Sequence, residues 1–324
     1  MLVNIKDVAK KAGVSTNTVS RYLNNRGYIS EKTRMTIQQV IDELNYIPNQ
    51  VARNLFKNKT NLIGLVIPDV KHPFFSTMTS YIENELDKRN LKMILCNTAN
   101  SSEKEKGYIQ MLQENKVDGI IIGSHSIDID YSNINAPIVS LDRYLAPSIP
   151  VVTADHNKGG TLAAQYLIDA GCQNVLQISG YSHVDTPSNH RYRAFEQVME
   201  KQGIPCTTYE LKWNQFDFDS YLQVAKELQI RYPEVDGVFA VDLVAAAFLR
   251  EALKKGTMIP QDLQIVGYDG SFVSRMMYPT FPSVVQPCEE LAQEAVTILE
   301  KLMNKESLDK LTYELDVYLS DWEG

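Results

Sequence analysis

Beyond about residue 61 the sequence falls into short, continuous apolar runs rich in Val and Ile. They read "LIGLVIP", "KMILCN", "DGIIIG", "PIVSLD", "VVTAD", "NVLQIS", "DGVFAV" and "LQIVGYD", most of them separated by amphipathic segments of helical length. A strand that is apolar throughout must be covered on both faces. Helices placed between such strands supply the cover, so the pattern predicts an α/β fold built on parallel sheets. There are more runs than one sheet holds comfortably, which predicts two similar subdomains. No period is strict enough for a solenoid.

The first 47 residues follow another period and predict three short helices. Asn4 suits the cap of the first, with Asp7 at its third helical position and Ile5, Val8 and Ala9 turned inward. Gly13 breaks that helix at a turn that needs positive φ. Ser15 suits the cap of the second helix and Ser30 that of the third, where Met35, Ile37, Val40, Ile41 and Leu44 form the expected inward face. Pro48 disfavours helix at the residue before it and closes this segment.

Charge divides the chain at the same place. The net charge of −8 is the sum of +6 over residues 1–60 and −14 over the remainder. A basic head on an acidic body points the head, and not the body, toward a polyanion. Other classes are poorly supported. The start, "MLVNIKDVAKKAG", has scattered charges and no apolar signal region, and no apolar run reaches the roughly 18 residues of a membrane span, so a cytoplasmic location is expected. Cys96, Cys172, Cys206 and Cys288 lie far apart without a CxxC pair, and the histidines lack HExxH or HxH spacing. Free thiols, and neither metal nor cofactor, are the expectation.

Between Gly13 and Asn25 runs "GVSTNTVSRYLNN". At about 100° per residue, Thr16, Asn17, Ser20 and Arg21 share one face of a helix, with Val19 and Tyr22 opposite, able to pack on helix one. Short hydroxyl and amide groups beside one arginine are the groups that read base edges: Asn is bidentate to adenine, Arg to guanine. An ordinary solvated helix face would carry the same residues. Helix, glycine turn and helix is also the arrangement that places a second helix in the major groove.

The stretch "IKDVAKKAGVSTNTVSRYLN", followed by "LNYIPN" and "VARNL", resembles the DNA-binding head and hinge of the LacI/GalR family of bacterial transcription regulators. The likeness runs on through "IGLVIPDVKHPFF", "DGIIIGSH", "D..KGG", "RYRAF", "VGYD" and "VVQP" in family order, most like Gram-positive sucrose-operon repressors. The resemblance implies a helix-turn-helix head over 1–47, a hinge helix or linker over 48–60, and a core over 61–324 like that of periplasmic binding proteins. Within the core it implies an N-subdomain of about 61–155 plus 288–317 and a C-subdomain of about 156–287 plus 318–324.

It also implies roles. Thr16 and Asn17 would set operator choice, and Arg21 would touch base or backbone. Ser15, Ser20, Asn24 and Thr33 would position phosphates, and Asn4 and Asn49 complete the DNA-facing set. Ala52 and Leu55 would enter the minor groove from a hinge helix that orders on DNA, because so polar a segment has too little apolar surface to fold alone.

An effector would bind between lobes at the strand C-termini. Phe74 and Phe75 suit stacking on a sugar ring and, taken alone, suit core packing equally. Asp142 and Asp269 end strands and can accept paired hydroxyls. Arg191 matches the arginine that grips the effector, Phe216 the aromatic that lies over it, and Ser124 and Gln286 are weaker candidates. Two departures stand out. Val241 precedes Asp242 where many members have Asn, removing one polar contact, and "LSDWEG" lacks the family's late arginine. With no leucine heptads after the core, a homodimer facing a near-palindromic duplex is the implied assembly. Sucrose, fructose, a phosphorylated sugar or a protein corepressor all fit as the modulator, and ligand could release or strengthen DNA binding. The enzyme reading fares worse. GxSxG, GxxxxGK[ST] and a strand-linked GxGxxG are absent, and "GSHS" supplies Ser and His without a third partner. A stand-alone sugar-binding protein would leave the basic head without a purpose.

Overall fold

The computed structural model describes residues 3–47, 59–124, 126, 128–213 and 215–320. The chain divides into two compact units, residues 1–60 and 61–324.

In the first unit, helices α1 (Ile5–Lys11), α2 (Thr16–Leu23) and α3 (Glu31–Glu43) each begin at a side-chain cap. Asn4 and Asp7 form a reciprocal capping box on α1, and the Ser15 and Ser30 hydroxyls accept from Thr18 N–H and Thr33 N–H. Gly13 takes φ +65° between α1 and α2, as its position requires. Val8, Ala9, Val19, Ile37, Val40 and Tyr46 form the core. One inward expectation is corrected. Met35 is 68% exposed, because it stands two residues, about 200°, from Ile37 and so falls off the apolar stripe. Tyr22 packs, half-buried, against the core that includes Val8 and Ala9 of α1, as expected, and also donates its hydroxyl to Gln38 Oε1 of α3 at 2.6 Å.

The second unit holds two six-stranded sheets. The first lobe contains β1 (Leu62–Ile67), α4 (Pro73–Lys88), β2 (Lys92–Asn97), α5 (Ser102–Glu114), β3 (Gly119–Ile122), β4 (Ile138–Leu141) and β5 (Val151–Ala154). The second contains α6 (His156–Asp169), β6 (Val175–Ser179), α7 (His190–Gln202), β7 (Cys206–Glu210), α8 (Phe218–Arg231), β8 (Gly237–Phe239), α9 (Asp242–Lys254), β9 (Gln264–Asp269), α10 (Phe272–Met276) and β10 (Ser283–Val285). Helix α11 (Cys288–Met303) and β11 (Thr312–Leu315) return to the first lobe, and β12 (Tyr318–Leu319) to the second. Strand order is β11-β5-β4-β3-β1-β2 in one sheet and β12-β10-β9-β8-β6-β7 in the other. Every pairing is parallel except that of β12 with β10.

The sheets are covered on both faces, as continuous apolar strands demand. In β1, Ile63, Leu65 and Ile67 pack with α4 and α11, while Val66 joins Ile109 and Leu112 of α5 on the opposite face. In the second lobe Leu176 and Ile178 of β6 pack with α8 and α9, and Val175 with α6 and α7. The chain passes between lobes after β5, β10 and β11, so each sheet points strand C-termini at the segments that join them. Among the described residues no helix is long and apolar enough to cross a membrane, and the four cysteines are free thiols.

Candidate functional site

In the head, α2 carries the sequence-selected face. Thr16 and Asn17 are exposed at its first turn, next to the capping Ser15. Ser20 is half-buried one turn on. Asn24 is the C-cap, its amide donating to Ser20 O at 2.8 Å, so this side chain closes the helix. Arg21 is exposed and folds toward the following loop, donating to Tyr28 O at 3.2 Å. Thr33 lies in the first turn of α3 with its hydroxyl 2.8 Å from that of Ser30, and Asn4 is exposed at the start of α1. Ser15, Thr16, Asn17, Ser20 and Arg21 are thus together on one short helix. Asn49, Ala52 and Leu55 lie outside the described residues.

In the body, a cavity of about 150 Å³ opens where the two lobes face each other. Phe74, Phe75, Asp142, Arg191, Phe216, Asp269 and Gln286 all line it. Phe216, from the loop before α8, reaches across to Phe75 of α4, the rings meeting edge-on at 6.2 Å. Ser124 does not line the cavity. Gly123 occupies the lining position at the end of β3. The next residue is buried beside Arg143, whose guanidinium approaches the Ser124 and Ser126 carbonyls.

The two strand-end carboxylates sit in strained backbone, Asp142 at φ +53° and Asp269 at φ +109°, where residues with a Cβ are rarely found. Gln286 Nε2 donates to Asp269 Oδ1 at 2.9 Å, and Arg191 Nη1 stands 4.0 Å from that oxygen, too far for a strong hydrogen bond. Arg191 is held flat, its guanidinium 4.4 Å from the Tyr268 ring and 4.9 Å from that of Tyr192. Burial raises the Asp269 carboxyl above its ordinary value, against the pull of Arg191 and Gln286. For Asp142, burial acts in the same direction, but His156, the Thr153 hydroxyl and Arg191 outweigh it and hold the group low.

Sequence reasoning missed three functional-looking groups. His156, 1% exposed at the start of α6, has Nε2 2.9 Å from Asp142 Oδ1 and Nδ1 2.7 Å from the Tyr268 hydroxyl. A carboxylate can only accept, so Nε2 carries a proton, and Nδ1 shares the second hydrogen bond with the Tyr268 hydroxyl. The imidazole therefore ties a carboxylate of the first lobe to the tyrosine of the second lobe on which Arg191 lies. His72, immediately before "PFF", lines the cavity between Phe75 and Phe216, and burial lowers it to about 4, so it is neutral. Asn189, two residues before Arg191, donates to the Tyr181 and Val184 carbonyls and fastens the loop that forms the cavity's outer wall with Trp213. Their only signal was adjacency to selected motifs. The departure at Val241 has a clear position: Val241 lines the cavity, while Asp242 is buried behind it, accepting from Ser271 N–H and the Ser283 hydroxyl.

Residues 4–49 match the bacterial regulatory proteins of the lacI family, and residues 164–315 match a periplasmic binding protein-like domain. The ribose operon repressor of Halalkalibacterium halodurans is 38% identical over 320 residues, covering 98% of this chain and 96% of that protein. This chain belongs to the lacI family. A second family relative, the sucrose operon repressor of Streptococcus mutans, is 37% identical over 316 residues, covering 96% of each. Among solved structures, a periplasmic binding protein/LacI transcriptional regulator from Alkaliphilus metalliredigens complexed with D-xylulofuranose is 31% identical with a TM-score of 0.74. It covers 81% of this chain and 97% of that one. The expected fold class and family are both borne out: this lacI-family chain joins a helix-turn-helix head to a two-sheet core, and its relatives are transcriptional regulators.

Proposed function

We propose that the chain is a dimeric, cytoplasmic repressor of a sugar-utilisation operon, released from a near-palindromic operator by a small sugar-class effector. The observation that carries this reading is the union in one chain of an exposed Thr16–Asn17 edge on a capped helix with a cavity holding Asp142, Arg191, Asp269 and Gln286. Residues 1–47 act as the DNA-binding head, 48–60 as the hinge, and 61–324 as the effector-binding core. Thr16, Asn17 and Arg21 read base edges, Asn4, Ser15, Ser20, Asn24, Thr33 and Asn49 position phosphates, and Ala52 and Leu55 wedge the minor groove. The +6 head supplies the electrostatic part of binding and the −14 body does not.

Two relatives named for ribose and sucrose operons, and a relative bound to D-xylulofuranose, support a sugar effector. The chain works by binding and not by catalysis. An effector that bridges Asp142 of one lobe and Asp269 of the other favours one lobe arrangement, and its differential affinity for that arrangement is what shifts operator occupancy. In vitro selection from a random duplex library tests the DNA role. A two-fold-related consensus is expected, with binding severely weakened by Leu55→Ala while the fold stays intact. An unselected pool, or full affinity in Leu55→Ala, contradicts the assignment.

A further inference from the structure

Resting on the effector reading above, we propose that the cleft takes a neutral, single-ring monosaccharide and rejects both its phosphate esters and disaccharides. The first argument is the inventory of donors and acceptors. Arg191 Nε, His72 Nδ1 and Gln286 Oε1 are buried without hydrogen-bond partners, and all three residues line this cavity. The Asp142 and Asp269 carboxylates beside them only accept. Among these inward groups the two carboxylates and Gln286 Oε1 accept and the Arg191 Nε–H donates, so they suit a ligand that both donates and accepts. Sugar hydroxyls do both. A phosphate at neutral pH offers acceptor oxygens alone and meets Gln286 Oε1 and two carboxylates with nothing to donate.

Charge points the same way. The charged residues lining the cavity, among those described, are Asp142, Asp269, Arg191 and Lys212. Lys212 is exposed and Arg191 is already held against two tyrosines and Asp269, while neutral His72 adds no cation. A phosphate carrying about −1.5 to −2 charges would enter a buried group of two carboxylates and one guanidinium. Size sets the remaining limit. A cavity near 150 Å³ with apolar walls accommodates one six-membered ring. Here Phe75 and Phe216 bring the two lobes together and bound the cavity on one side.

Isothermal titration calorimetry of the full chain tests this with D-ribose, D-xylose, D-fructose and D-glucose, with ribose 5-phosphate and fructose 6-phosphate, and with sucrose. Saturable binding of at least one free monosaccharide is expected, with its phosphate ester at least ten-fold weaker and sucrose silent. A phosphate ester or sucrose binding as tightly as the free monosaccharides overturns the inference and leaves the sugar-effector reading standing. If no sugar in the panel binds, both fall together.

Discussion

Replacing His156 with alanine should destabilise the body by about 3–5 kcal/mol, although the residue is buried and does not itself line the cavity. The imidazole is 1% exposed and both ring nitrogens are engaged, at 2.9 Å to Asp142 and 2.7 Å to Tyr268. Truncation leaves the fully buried Tyr268 hydroxyl without this hydrogen-bond partner, a penalty of about 1–3 kcal/mol. It also removes one of two side-chain donors to Asp142 Oδ1, Thr153 being the other, and a hydrogen bond to a charged group contributes about 1.5–3 kcal/mol. Urea denaturation with an unchanged slope measures the loss. Tyr268→Phe removes the stranded hydroxyl, so the double variant should be less damaged than the two single losses summed, by about 1 kcal/mol or more. A loss below about 1 kcal/mol for His156→Ala, together with an additive double variant, would refute the claim that this imidazole ties the lobes.

Three further outcomes are expected. A Cβ at Gly160 would stand 2.0 Å from the Arg191 carbonyl oxygen, where α6 crosses α7. Gly160→Ala should therefore lower stability by about 1–2 kcal/mol despite its better helix propensity, and weaken ligand binding by moving Arg191; calorimetry showing neither would count against the close approach. His72 is lowered by burial from 6.5 to about 4, so the native state refuses a proton that the unfolded chain accepts. Its contribution, about 3 kcal/mol, is complete above pH 6.5 and is lost as pH falls toward 4; the stability difference between wild type and His72→Gln should grow with pH across that window, and a flat difference would exclude it. Asn17→Ala, at an exposed position, should leave thermal stability unchanged and relax operator discrimination by about 1–3 kcal/mol at the position it reads, as competition with substituted duplexes will show.

Much of this architecture was legible because the physics is local. Each of the eight apolar runs became a strand, since a run of Val and Ile with cover on both faces has few other uses. Caps at Asn4, Ser15 and Ser30 fell where short oxygen-bearing side chains precede an apolar period. The strands that gave no signal are those that lack such a run. β7, "CTTYE", is polar and half-exposed at a sheet edge, β10 and β12 span three and two residues, and β11 lies at the opposite edge of its sheet. At the cleft, the charged residues at strand ends and the aromatics flagged by the family pattern came together. Ser124 did not, because a one-residue step along the chain beyond β3 exchanges a lining position for a buried one. His156 and Tyr268 were invisible for a different reason: their partnership spans 112 residues and exists only once α6 lies against β9.

The central claim is that occupancy of the cleft controls grip on DNA. The decisive measurement is operator affinity by fluorescence anisotropy at fixed salt, with and without a saturating monosaccharide, for the wild type and Asp269→Ala. The account predicts that the sugar weakens wild-type binding by about 5–150-fold, the usual range of coupling between sites. It predicts equally that Asp269→Ala binds the operator as tightly as wild type and ignores the sugar. Wild-type affinity unmoved by a sugar shown to bind, or a full response from Asp269→Ala, would contradict it.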